Sequence, residues 1–149
     1  MNNLFNETDV SGIHARLDKL NSNSKNEWGK MNVEQMLAHL NSALETAMGV
    51  NSPKRLFIGR VIAPFVKPAY LSEKPFGKNS PTDQFYIVTD SREFEKEKAR
   101  AKELINHFHK GGATKCTTRP HSFFGHLTPE QWAIAQWKHF DHHLRQFNA

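Results

Sequence analysis

The chain has 149 residues, enough for one domain spanning 1–149 that buries a core without cross-links. Hydrophobic residues make up 38% and charged residues 23%, a balance that excludes a disordered or fibrous chain. The net charge is +5, and all of it lies in residues 51–78, where Lys54, Arg55, Arg60, Lys67, Lys74 and Lys78 stand against a single acid, Glu73. A solvated, irregular connection accounts for such a run. The sharper reading is a rim that draws in an anionic substrate. No aromatic-interleaved basic motif or DNA-binding module accompanies it, so nucleic acid is not an expected partner. The one cysteine, Cys116, excludes an intramolecular disulfide and suits a reducing compartment. The opening MNNLFNETDV has neither the basic nor the apolar region of a signal peptide, and the expected location is the cytoplasm. The most apolar stretch, RLFIGRVIAPFV, is broken by Gly59, Arg60 and Pro64 and is too short to cross a bilayer.

Four segments carry helical periodicity. In the first, 9–21, Val10, Ile13, Leu17 and Leu20 share a face, and Asp9 is the expected cap. The second, 33–48, follows Asn32 with Gln35 as its capping-box partner, and Gly49 stands at its end. Residues 50–89 hold five of the seven prolines; a short helix near 54–66 is expected there, then irregular chain. The patch DQFYIVT, 83–89, has the composition of a strand but no obvious partner. The third periodic segment, 90–110, is highly charged with a thin stripe of Phe94, Ala101, Ile105 and Phe108; Asp90 and Glu93 suggest a capping box, and Gly111 and Gly112 a stop. The fourth, 129–147, has Thr128 as cap, Pro129 at its first position and Gln131 as partner. The expected fold is all-α: a four-helix bundle with a long irregular crossover between its second and third helices.

Nine histidines invite a search for a metal site. On the last helix, Ala133, Trp137, Phe140, Leu144 and Phe147 form the core stripe. His139 and His143 are four apart and stack on the border of that stripe. His142 falls on the other side, beside Lys138 and Arg145, where solvent is expected. On the second helix, His39 bears the same relation to Leu40 that His139 bears to Phe140. If these helices are neighbours, three imidazoles converge. Neutral imidazoles suit zinc, nickel, copper or iron, and three protein ligands leave positions open for chemistry. The competing reading is a polar edge of ordinary hydrogen-bonded histidines.

WGKMNVEQMLAHL (28–40), with HSFFGHLTPEQWAIAQWKHFDHHLRQF (121–147), resembles the DinB/YfiT-like superfamily, and within it a branch of unknown function. The resemblance runs from Trp28 to the end. It implies a four-helix bundle holding a divalent metal, with His39, His139 and His143 as ligands. It also implies thiol-dependent transfer or isomerisation and a homodimer as the assembly; the open positions of such a metal would activate water or a low-molecular-weight thiol toward a small-molecule substrate, which makes a hydrolase or a thiol transferase the expected enzyme. The branch pattern has proline where this chain has Ser122, which loosens that loop without touching the ligands. A metal-binding or helical interaction protein without catalysis is the alternative.

The remaining candidates are peripheral. His121 and His126 flank SFFG ahead of the last helix, and reaching His139 requires their loop to fold back. Trp132 lies on the same side as His139 and lines any pocket there. Gln136 and Gln146 lie nearest the histidine edge as hydrogen-bond partners. Glu45 and Asp141 point away. His107 and His109 suit the C-terminal dipole of the third helix, and His14 the surface. Cys116 lacks a nucleophile signature.

Overall fold

The computed structural model describes residues 1–149 and is all-helical. Five helices follow in order: α1 (Glu7–Lys19), α2 (Val33–Ala47), α3 (Phe57–Tyr70), α4 (Phe94–Gly111) and α5 (Pro129–Gln146). Single 3-10 turns at Gln84–Tyr86 and Gly112–Lys115 complete the regular structure.

The helix starts follow from local chemistry. At α2 the Asn32 side chain accepts from Gln35 N and the Gln35 side chain accepts from Asn32 N. Thr128 and Gln131 do the same at α5. Each reciprocal pair satisfies two amides that a helix start leaves unpaired. Two expected caps are corrected. Asn6, not Asp9, caps α1, and the Asp9 carboxylate instead accepts from Asn3 N. The box expected at Asp90 and Glu93 does not form. Arg92 pairs with Asp90, and α4 begins at Phe94 behind an N-cap that makes no side-chain bond.

α1, α2, α4 and α5 enclose one core. α2 packs on α4 and α5, and α1 packs on the same two helices from the other side. Ile13 and Leu17 of α1, Met36, Leu37, Leu40 and Leu44 of α2, Ile105 and Phe108 of α4, and Ala133, Phe140 and Leu144 of α5 are fully buried together. Each large side chain removed from water contributes about 1.5–3 kcal/mol, so the apolar stripes orient the helices and leave their polar borders to meet one another.

The crossover contains the helix expected near 54–66, beginning and ending a few residues later. α3 runs to Tyr70 and includes Pro64 and Pro68. Only Gly59 and Ala63 of this helix are buried. Gly59 lies against the backbone of Phe123, so close that a Cβ would sit 2.8 Å from Phe123 Cα. The opposite face leaves Phe57, Ile58, Val61, Ile62, Phe65 and Val66 exposed, Phe65 by 82%. The chain then crosses α5. Lys138 Nζ donates to the carbonyls of Tyr70 and Ser72, both at 2.6 Å, and so caps the C-terminal end of α3. The patch at 83–89 is a 3-10 turn rather than a strand, for want of any partner strand; it buries Tyr86, whose hydroxyl donates to Thr46 Oγ1 at 3.0 Å. No helix is long and apolar enough to cross a membrane.

Candidate metal centre

α2 and α5 run antiparallel along a shared seam. Gln136 Nε2 reaches Ala43 O at 3.3 Å, and one turn further His39 meets His139. The ring centroids of His39, His139 and His143 are 4.7, 4.8 and 4.9 Å apart in pairs. One nitrogen from each lies within 4.8 Å of the others. His39 Nε2 and His139 Nε2 are 2.8 Å apart. The three residues placed on matching helix edges by the sequence are thus brought together.

Hydrogen bonds decide which nitrogens face inward. His39 Nδ1 is 2.8 Å from Tyr86 O, and a carbonyl only accepts, so Nδ1 carries the proton and Nε2 keeps its lone pair. His143 Nδ1 is 2.7 Å from Gln146 Oε1. The Gln146 amide is itself oriented, because its Nε2 donates to Trp28 O at 2.5 Å. His143 therefore also holds its proton on Nδ1. Metal-binding histidines are commonly oriented in this way by an acceptor on the far nitrogen.

Burial holds all three rings neutral. His39 is pushed below the usual imidazole range by loss of solvent. His139 is pushed well below it by burial and then by the facing His39 and His143 rings. His143 falls to about 3, again mainly through burial. Neutral nitrogen donors with no carboxylate or thiolate among them fit zinc or nickel and do not fit calcium or magnesium, which require oxygen.

A chain of aromatic contacts joins the crossover and the 121–125 loop to the start of α5. Tyr70 stacks on Phe124 at 3.8 Å and on Phe76 at 5.0 Å. His121 packs on Trp132 at 5.4 Å and on Phe124 at 5.1 Å. The 121–125 loop does fold back along α5, closed by paired backbone bonds between His121 and Gly125 of 2.8 and 3.1 Å. His126 is not part of this group: its side chain is exposed, and only its carbonyl is used, by Lys67 Nζ.

His142 requires a correction. It is only 8% exposed rather than facing solvent. Residues 70–78 cover that side of α5, with Phe76 at 6.2 Å and Trp28 at 5.8 Å from the His142 ring. Lys138, expected in solvent beside it, is buried by the same segment. A helical wheel shows where a side chain points but not what a distant crossover lays over it. Tyr70 and Phe76, which the sequence did not single out, sit here for the same reason. Asp83, also not singled out, has Oδ1 accepting from Phe85 N at 3.0 Å while Oδ2 is buried without a partner; the only signal was its place at the head of a patch of strand-like composition.

The other candidates lie elsewhere. Glu45 pairs with Arg100, and Asp141 with Arg16 and Arg145. The Cys116 thiol is pushed up to about 11, chiefly by burial, which removes it as a nucleophile near neutral pH. His107 is exposed, and His109 Nδ1 meets Leu4 O at 3.2 Å.

A family model described as a protein of unknown function, DUF1569, matches residues 5–149. No curated protein and no solved structure matches the chain.

Proposed function

We propose, for a chain that belongs to the DUF1569 family of unknown function, a metal-dependent enzyme of the DinB-like type acting on a small substrate. The ligands are His39, His139 and His143, and the ion is divalent zinc or nickel. The observation that carries this reading is the outward tie of two Nδ1–H groups, to Tyr86 O and Gln146 Oε1, which leaves lone pairs on the inward nitrogens of buried neutral rings. A bound ion supplies Lewis acidity that lowers the pKa of water or of a low-molecular-weight thiol. The chain's own residues hold it, orient the ligand rings and wall off bulk water. In this reading α1, α2, α4 and α5 are the four-helix bundle and α3 belongs to the crossover. The exposed Lys54 and Arg60 of the basic segment favour an anionic substrate, and the setting is the cytoplasm.

Elemental analysis of protein purified without a histidine tag tests this. About one equivalent of zinc or nickel is expected, lost in His39→Ala and His143→Ala and kept in His107→Ala, which alters an exposed ring. Wild-type protein that takes up neither ion refutes the reading.

A homodimer is supported by α3. Phe57, Ile58, Val61, Ile62 and Phe65 recur at helical spacing on one exposed face, the kind of contiguous apolar patch that marks an interaction surface. Sedimentation should give a dimer that Phe65→Glu converts to monomer; a monomeric wild type removes this part.

A further inference from the structure

His121 has the opposite hydrogen-bonding pattern to the ligand histidines. Its Nδ1 accepts from the backbone amides of Phe123 at 3.0 Å and Phe124 at 3.3 Å. A nitrogen that accepts carries no proton, so the neutral ring must hold its proton on Nε2. No hydrogen bond within the protein uses that N–H, which is open to solvent rather than sealed, and the Asp83 carboxylate, its Oδ2 also unpartnered, lies close enough to act on the ring. The ring cannot easily turn, because Arg55 clamps its loop through the carbonyls of His121 and Ser122 at 3.1 and 2.7 Å and that of Phe123. Burial and the Arg55 cation hold the imidazole down to about 4, so it stays neutral.

Its neighbour offers a second free donor, and this one is buried. Trp132 is 1% exposed, and its Nε1–H has no partner. Trp132, Gln136, His139 and His143 follow at helical spacing on one face of α5, and Gln136 Oε1 is also buried and unpartnered. Buried polar groups are rarely left unsatisfied without a ligand or water to take them up. Trp132 and His139 are seven positions apart, about 10 Å along the helix.

We infer that His121 is a ligand-binding hydrogen-bond donor and not a fourth metal ligand: with Trp132 it takes the acceptor oxygen, carboxylate or carbonyl, of a small substrate whose other end lies at the three-histidine centre about 10 Å away. This rests on the metal-centre reading above and adds the substrate's class and reach.

The test uses cobalt-loaded protein and thiol probes followed by the thiolate-to-cobalt absorption band. 6-Mercaptohexanoate should bind about tenfold more tightly than hexanethiol, the scale of a hydrogen bond to a charged acceptor. His121→Asn keeps an acceptor near the Nδ1 position and lacks the distal donor, so it should abolish that advantage at unchanged cobalt stoichiometry. His121→Gln, which places an amide N–H near the Nε2 position, should restore part of it. A carboxylate advantage that survives His121→Asn, or no advantage in the wild type, overturns the inference while leaving the metal centre standing. Loss of cobalt in His121→Asn also overturns it, since the ring is then a ligand. Failure to take up cobalt at all in the wild type refutes the underlying reading instead. If His121→Asn does not fold, nitrogen NMR of the zinc-loaded wild type decides: His121 must show its proton on Nε2, opposite to His39 and His143, and the reverse overturns the assignment.

Discussion

Gln146 connects the three-histidine cluster to the Trp28 backbone, and replacing it with methionine separates its roles. Its Oε1 accepts from His143 Nδ1 at 2.7 Å, and its Nε2 donates to Trp28 O at 2.5 Å, in a residue only 3% exposed. Gln146→Met conserves volume and removes both bonds. The buried Nδ1–H of His143 is then unpaired, which costs about 1–3 kcal/mol, and Trp28 O loses a bond worth about 1 kcal/mol. The metal-free protein should therefore lose roughly 2–4 kcal/mol in urea denaturation. Zinc affinity should fall about 10- to 100-fold, because His143 is no longer held in tautomer or orientation. Gln146→Glu keeps an acceptor on His143 while losing the donor to Trp28, so it should retain zinc affinity despite reduced stability. Competition against a chromophoric chelator measures both variants. If Gln146→Met loses stability but binds zinc as tightly as the wild type, Gln146 is merely a tether and the outward tie of His143 contributes nothing to binding.

The buried rings also set an acid limit. His143 and His121 are held at about 3 and about 4 by burial, whereas the unfolded chain takes up their protons near 6.5. Because the unfolded state binds more protons, the stability of the metal-free protein is complete above pH 6.5 and falls as the pH drops toward 4. Two groups give a slope of about 2.7 kcal/mol per pH unit, to which His39 and His139 add in the same direction. Urea midpoints from pH 7.5 to 4.5 measure it, and a flat profile contradicts the burial of these rings. Gly59→Ala drives a methyl into the Phe123 backbone and should cost about 1–3 kcal/mol, with faster amide exchange confined to α3 and residues 121–125. Lys138→Met removes both bonds to the end of α3 and should lower the melting temperature and open His142 to chemical modification; an unchanged melting temperature would mean that relief of the lysine's burial fully offsets those bonds.

The sequence by itself determined the elements whose signals are local. The Asn32–Gln35 and Thr128–Gln131 boxes start α2 and α5 where the residues indicated, because each needs only a side chain three residues away. The apolar periodicity placed His39, His139 and His143 on matching borders of their stripes, since burying a stripe fixes the rotation of the helix that carries it. Only the tertiary structure decided what lies over those borders. Residues 70–78 cover His142 and Lys138, Tyr86 offers its carbonyl to His39, and the 121–125 loop folds back to set His121 against Trp132. These contacts join residues 47 to 68 positions apart, or place a loop on a helix that follows it. A wheel records only the direction of a side chain on its own helix. Whether that direction meets water or another segment depends on the path of the crossover, and that path is set by packing across the whole chain.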